Sequence, residues 1–305
     1  PGGAVVTPPI SVPGSRVVFA PEASQDLALD AMVERLRATD VVFFGEQHDY
    51  PETHRVEFGL LDAIGRTGRP VVLSLEMFER DVQGVLDDYL AGRLSEADFL
   101  AKSRPWDRYI TDYRPMVELA KARGWPVVAA NVPRAIASAV GRKGLPALDT
   151  LPAADRAWAA RDNQCPNDAY RARFMLDMRS HSSGSAAPAP GDTLSTAVAE
   201  RFYAAQCVKD EAMAESIVAA IQRAPKDAIV VHYDGAFHSD FSQGTADRVR
   251  RRAPDRRMTV ITAVPVPDPS TATVAEHAGR ADFIVFPKRS RPRSFRSHRA
   301  SAVKP

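Results

Sequence analysis

The chain has 305 residues, of which 45% are hydrophobic and 26% are charged, and its formal net charge at pH 7 is +2. These values are those of an ordinary globular protein that can bury a substantial core. The sequence contains no apolar run of about 18 residues, which excludes a membrane-spanning helix.

The first 15 residues are rich in Pro and Gly, which predicts an N-terminal linker over 1–15. The chain opens on Pro1 rather than Met, so we interpret it as one that has lost a targeting segment or as a trimmed piece. We expect a single α/β domain over 16–286.

Six short apolar runs rich in Val and Ile predict buried strands. Their hydrophobicity is continuous rather than alternating, which is typical of strands covered on both faces. The runs are Val41–Phe44, Val71–Leu75, Val127–Ala130, Ala228–His232, Met258–Val264 and Phe283–Phe286.

Apolar residues at helical spacing lie before the first strand and between the first three, over 27–36, 56–64 and 116–120. Strand, helix and strand in this order predict right-handed crossovers. The fold class is therefore α/β, with a mainly parallel central sheet flanked by helices on both faces.

The region 145–222 contains no convincing strand and predicts a helical insertion or subdomain, interrupted by a mobile loop at 181–192. It holds both cysteines, Cys165 and Cys207, which form either one disulfide or two buried thiols.

The last residues, 287–305, carry seven Lys/Arg and no acid, and the rest of the chain has 33 basic against 38 acidic residues. Such a tail can touch anionic lipid or nucleic acid. Its Ser, Pro and Arg content favours a disordered, solvated end, so we predict no nucleic-acid partner.

Polar residues follow four of the predicted strands directly. Open parallel sheets bind ligands at the carboxyl ends of their strands, and a carboxylate beside a buried strand is costly unless it is paired or used. Each residue also has an ordinary alternative, such as a helix cap for Glu46 or a surface position for His48. We favour one shared site, formed by Glu46, His48, Glu76 and His238 with Asn131 and Arg134.

An aromatic segment, PWDRYITDY, lies between the second and third strands. Ordinary packing onto the next helix explains Trp106 best. Tyr109 and Tyr113 offer phenols, which can ligate ferric iron in haem proteins.

Six ordered segments between about Val41 and Arg252 resemble the ChaN-like haem-binding lipoproteins, a family in one superfamily with the Tiki proteins, TraB and the erythromycin esterases. They are GEQHD at 45–49 with His54, LEMFER at 75–80, YRPMVELA at 113–120, AANVPRAIA at 129–137, AAQCVKDEAMAESI at 204–217 and GAFH at 235–238.

The resemblance implies a bacterial protein of haem or iron uptake that is periplasmic or associated with the outer membrane. It implies haem as cofactor, held between two protomers, and an outer-membrane haem or iron transport machinery as partner. Membrane attachment is expected only through a lipid anchor that this chain does not contain. The chain departs from the family pattern in three ways: the expected lipobox cysteine is absent, and the region 181–192 and the basic tail are additional.

Site residues follow from the same resemblance. Tyr113 lies in the YRP motif and is expected to ligate the iron, and Tyr109 is the second candidate for that ligand. The residues expected near the propionates or a second haem are His48, His54 and Arg134, and Asn131 and His238 complete the expected cofactor-binding set.

The wider superfamily implies a different use of the same edge. Glu46, His48, Glu76 and His238 match positions associated with divalent-metal peptidases and with esterases. Such side chains suit a divalent transition metal, and Glu46 or His48 can alternatively act as a general base. A metal-dependent or Glu/His-base hydrolase is therefore the alternative function, and a vestigial site kept as an interaction scaffold is a third.

Overall fold

The computed structural model describes residues 14–19, 26–182 and 196–289. Eight strands form one sheet at the centre of these residues. They are β1 (Ser15–Phe19), β2 (Asp26–Leu27), β3 (Val41–Glu46), β4 (Val71–Glu79), β5 (Val127–Asn131), β6 (Ile229–Gly235), β7 (Met258–Ala263) and β8 (Phe283–Pro287).

The strand order is β2-β1-β8-β7-β3-β6-β4-β5. The strands from β8 to β5 are parallel, whereas β1 pairs antiparallel with β8 and with β2. All six predicted strands are present, and the predicted α/β class is confirmed. The antiparallel strands β1 and β2 were not predicted, because five and two residues beside a Pro-rich segment give little pattern.

Eleven α-helices of the described residues surround the sheet. They are α1 (Leu29–Arg35), α2 (Pro51–Arg66), α3 (Gln83–Leu90), α4 (Glu96–Ser103), α5 (Tyr109–Asp112), α6 (Arg114–Arg123), α7 (Arg134–Lys143), α8 (Ala153–Arg156), α9 (Ala169–Ser182), α10 (Thr196–Arg223) and α11 (Gly244–Arg252).

The two faces of the sheet carry separate hydrophobic cores. Val42 and Phe44 of β3 pack with α1, α2 and α6, while Val41 and Phe43 pack with α10 and α11. Successive side chains of a strand point to opposite faces. Glu46, two residues beyond Phe44, therefore extends towards α2.

The centre of the sheet is also where its winding changes direction. β3 and β6 are parallel neighbours in register from Val41↔Val230 to Glu46↔Gly235. The chain leaves β3 to reach β4 on the far side of β6, and it leaves β6 to reach β7 on the far side of β3. A crevice opens at the carboxyl ends of such strands.

The predicted helical region after Leu145 contains α8, α9 and α10. A disulfide joins Cys165 to Cys207 of α10, with a Cα–Cα distance of 5.4 Å. It fixes the segment before α9 against the middle of α10. Most of the loop predicted at 181–192 lies outside the described residues.

The predicted linker and tail also lie largely outside them, since 1–13 and 290–305 are not described. β1 begins at Ser15, the last residue of the predicted linker, and β8 includes Pro287, the first residue of the predicted tail. Among the described helices, none combines the length and apolar character that crossing a membrane requires.

Candidate functional site

Glu46 is the centre of the half of the site that faces α2. Gly45 before it lies so close to β6 that a Cβ atom there would be 2.8 Å from the Ala236 Cα. The buried Glu46 carboxylate accepts a hydrogen bond from the Tyr113 hydroxyl at 2.6 Å and another from His48 Nδ1. His54 Nδ1 lies 3.1 Å from its second oxygen.

Helix α2 adds two groups to this half. His54 Nδ1 donates to Glu57 Oε2 at 2.9 Å, and both side chains are buried. On the other side of the ring, Nε2 lies 3.2 Å from the His48 carbonyl oxygen and 3.5 Å from a carboxylate oxygen of Asp112. Asp112 is held in turn by Arg108, at 3.1 Å.

The protonation states follow from these contacts. Burial would raise the pKa of Glu46, but the hydrogen bond from His48 and the positive charge of His54 outweigh burial and lower it. Burial would lower the pKa of His54, but the carboxylates of Glu46 and Glu57 raise it to about 11. Burial and the Glu46 charge raise the pKa of Glu57 well above its ordinary value. At pH 7, Glu46 is therefore ionised and His54 is charged.

Glu76 and His238 form the half of the site that faces α10. The Glu76 carboxylate accepts a hydrogen bond from the Gly235 N–H at 2.7 Å and lies 3.3 Å from His238 Nε2. His238 Nδ1 donates at 2.6 Å to Asp210 of α10, which also accepts from Tyr170 at 2.7 Å. The imidazole of His238 is thus buried between two carboxylates.

This arrangement fixes a second set of charges. Burial would lower the pKa of His238, but Glu76 and Asp210 outweigh it and raise the pKa to about 10. Burial would raise the pKa of each carboxyl, but the His238 charge keeps the pKa of Glu76 well below its ordinary value and lowers that of Asp210. Both carboxylates are therefore ionised around a charged histidine.

His48 joins the two halves across the end of β6. Its Nδ1 donates to Glu46, while a Cβ atom built on Gly235 would be 2.8 Å from its Nε2 and 3.6 Å from a Glu76 oxygen. Burial would lower the pKa of His48, but Glu46 and then Glu76 raise it. His48 is half-buried and its ring contacts Trp106, with centroids 4.9 Å apart.

A cavity of about 950 Å³ opens beside His48. Its wall combines aromatic and apolar groups, including Trp106, Met77 and Pro133, with the phenol of Tyr113. Three arginines also line it. Two of them form ion pairs, Arg104 with Glu79 and Asp81, and Arg108 with Asp49 and Asp112. The third, Arg134, is exposed and has no ion pair within the described ranges of the chain.

The structure thus brings together Glu46, His48, Glu76 and His238, and places Tyr113 and Arg134 in the wall of the neighbouring cavity. Two other predicted residues lie apart. Tyr109 packs between Phe78 and Phe99, away from the cavity wall. Asn131 ends β5 and is buried, also outside that wall.

Sequence reasoning missed three members of the site that lie on helices, Asp210, Glu57 and Asp112, and also Arg108, which precedes α5. One signal was available for two of them. Asp210 follows the buried Cys207 by three residues, and Glu57 follows His54 by three. Residues three or four apart share one helix face, so an acid on a buried face indicates a paired charge.

A family model described as haem-binding uptake, Tiki superfamily, ChaN matches residues 32–249. Comparison with curated proteins gives no significant match.

Among solved structures, the chain is similar to one described as cofacial haem binding to ChaN of Campylobacter jejuni. The identity is 14%, the TM-score is 0.65, and the match covers 89% of this chain and 96% of that one. This likeness supports the α/β fold assignment.

Two further likenesses are weaker. An erythromycin esterase mutant, EreC, in its open conformation has 11% identity and a TM-score of 0.49, covering 92% of this chain and 99% of its own. The MARTX toxin effector domain RRSP of Vibrio vulnificus has 16% identity and a TM-score of 0.41, covering 76% and 36%.

Proposed function

The chain belongs to the ChaN family of haem-binding uptake proteins in the Tiki superfamily, and we propose that it binds haem in the cavity beside His48. The observation that carries this proposal is the composition of the cavity wall. It joins an apolar and aromatic surface to arginines and a phenol within about 950 Å³.

The cavity suits haem in size and charge. Pockets for small molecules and cofactors occupy about 300–1,000 Å³ and are mainly apolar, with a few placed polar groups. Trp106, Met77 and Pro133 offer contact area for a porphyrin ring. Arg134 begins α7, where the helix N-terminus also favours anions, so this end of the cavity suits a propionate.

Tyr113 is the oxygen ligand that the cavity offers to iron. Its ring is buried in the wall and contacts Trp106 edge-on, with centroids 6.0 Å apart. Burial and the Glu46 charge raise the pKa of the phenol, which keeps its proton on the hydrogen bond to Glu46. A bound ferric haem would supply a cation that stabilises the phenolate in place of that proton.

We further propose that the protein takes part in bacterial haem or iron uptake, that it is located in the cell envelope and that it forms a homodimer around haem. The disulfide between Cys165 and Cys207 supports a location outside the cytoplasm, because disulfides persist in oxidising compartments. A homodimer predicts that hemin changes the molar mass measured by light scattering from that of one chain to that of two.

Hemin titration followed by absorption tests the proposal. We expect a Soret shift in the wild type, a different Soret position in Tyr113→Phe, and a largely intact spectrum in His48→Ala. Tyr109→Phe is the matched control, because it removes a buried phenol that lies outside the cavity wall. A wild-type spectrum that does not change on titration would remove the main support for haem binding.

The cluster at the sheet edge favours a second candidate, hydrolysis. Glu46, His48, Glu76 and His238 meet there, and His48 is the most exposed of the four, with a side-chain exposure of 37%. This places its ring where a substrate can reach it. A panel of esters and peptides, together with elemental analysis for metal, tests this function. Activity that disappears in Glu46→Gln supports it, and an inactive, metal-free protein counts against it.

A further inference from the structure

Three side chains between β3 and α2 point potential metal-ligand atoms at one another. One ligand atom from each of Glu46, His54 and Glu57 lies within 4.8 Å of the others. His54 Nδ1 is 3.1 Å from Glu46 Oε2 and 2.9 Å from Glu57 Oε2. All three residues are buried, with Glu57 fully enclosed.

Protein hydrogen bonds do not satisfy this group. The single N–H of His54 Nδ1 donates to Glu57 Oε2. Glu46 Oε2 and Glu57 Oε1 are buried and receive no hydrogen bond from any residue in the described part of the chain. An unsatisfied buried carboxylate oxygen is costly, and a cation bound by two of them and one imidazole would remove that cost.

The second ring nitrogen of His54, Nε2, has the kind of hydrogen-bond acceptors that metal-binding histidines have on the nitrogen facing away from the metal. Nε2 lies against the His48 carbonyl oxygen and the Asp112 carboxylate, at 3.2 and 3.5 Å. Such partners fix the ring orientation and keep the proton on the outer nitrogen, so the inner nitrogen can bind a metal. Arg108 holds Asp112 in place.

We propose that Glu46, His54 and Glu57 bind one divalent transition-metal ion, of which zinc is the best match. Two carboxylates and one imidazole are zinc ligands, and tetrahedral zinc holds such atoms about 3.3 Å apart. The observed separations of 2.9 and 3.1 Å from Nδ1 require only a small adjustment. Calcium is a poorer match because it takes six to eight oxygen ligands.

The chemistry of the group agrees with a divalent ion. Two carboxylates face one imidazole there, so the ligands themselves would balance the charge of such an ion. Because imidazole and carboxylates bind metal in their unprotonated forms, zinc binding should weaken as the pH falls.

This site is separate from the haem cavity and from the Glu76–His238 pair. It lies between β3 and α2, behind the hydrogen bond that joins Tyr113 to Glu46. A metal there would tie the helix to the strand and fix the carboxylate that holds Tyr113. The inference goes beyond the proposed function and does not depend on it.

Isothermal titration of chelator-treated, haem-free protein with zinc chloride tests the site. We expect about one zinc ion per wild-type chain. Glu57→Gln keeps the size and shape of the side chain and should fold normally, as circular dichroism can verify. Its zinc affinity should fall by more than the 10–100-fold typical of losing a partner behind the ligands.

Two variants control for trivial effects. Asp62→Asn makes the same chemical change on the same helix, at a residue whose carboxylate pairs with Arg66 and Arg123, and should retain zinc. Glu76→Gln alters the other half of the candidate site and should also retain it. Zinc affinity unchanged in Glu57→Gln, or lost equally in Glu76→Gln, would overturn the assignment.

The wild type separates this inference from the proposed function. Absence of zinc binding in protein that gives a Soret shift with hemin overturns only the metal site. Zinc binding in protein that gives no Soret shift overturns only haem binding in the cavity.

Discussion

Charge reversal at Arg134 should weaken haem binding through the cavity wall. Arg134 is exposed at the start of α7, lines the cavity and has no ion pair among the described residues. It is therefore the arginine of the wall that is free to meet a haem propionate. In Arg134→Glu, attraction to that propionate becomes repulsion.

The size of the effect follows from the exposure of Arg134. Exposed ion pairs contribute about 0.2–1 kcal/mol, and hydrogen bonds to charged groups about 1.5–3 kcal/mol. Because Arg134 is exposed, we use the range for exposed ion pairs for the lost attraction and add a similar amount for the new repulsion. The total is about 1.4 kcal/mol, which is a tenfold rise in the hemin dissociation constant.

Soret titration at about 0.05 M and about 0.5 M salt measures the effect, and the higher salt should reduce it by screening. Arg142→Glu is the matched control, because it makes the same change at an exposed position near the other end of α7. Equal hemin affinity in Arg134→Glu and Arg142→Glu would refute the placement of a propionate at Arg134.

Two further predictions concern stability and are measured by urea denaturation. Gly45→Ala should lower the free energy of unfolding by about 1–3 kcal/mol, because its Cβ would meet the Ala236 backbone. Gly84→Ala, with open space around it in α3, should raise it by about 0.5–1 kcal/mol, and equal changes at the two positions would contradict the packing at Gly45. The pKa of His238 is raised to about 10, so its stabilising contribution is complete below its ordinary pKa of about 6.5 and is lost as the pH rises through 10. The unfolding free energy should therefore fall between pH 7 and pH 10, less steeply in Glu76→Gln, and equal slopes would contradict the Glu76–His238 pairing.

The parallel part of the sheet could be predicted because burial on both faces leaves a continuous apolar run. The observed strands differ from the predicted ones mainly at their ends, where β3 extends to Glu46 and β6 to Gly235. β4 also extends to Glu79, so the observed strands include Glu46 and Glu76, two of the residues that suggested a site. Composition alone could not show them as strand, because their pairing depends on neighbours from distant parts of the chain.

The candidate site could be predicted only where strands carry it. Glu46 and Glu76 follow their strands in the same way, yet one faces α2 and the other α10. When a strand is apolar on both faces, its sequence does not show which face packs against which helix. The division of the site into one half facing α2 and one half facing α10 therefore could not be predicted. The pairing of His238 with Asp210 likewise depends on how α10 packs against the sheet.

The adjacency of β3 and β6 at the centre of the sheet has a consequence for folding. Glu46 lies near the start of the domain and His238 near its end, and their strands become neighbours only after the chain between them has been made. Contacts between such distant segments form slowly, because closing the loop costs entropy before the contact stabilises it. The two halves of the site therefore cannot meet until β6 has paired with β3, so a ligand that needs both Glu46 and His238 binds only after that pairing.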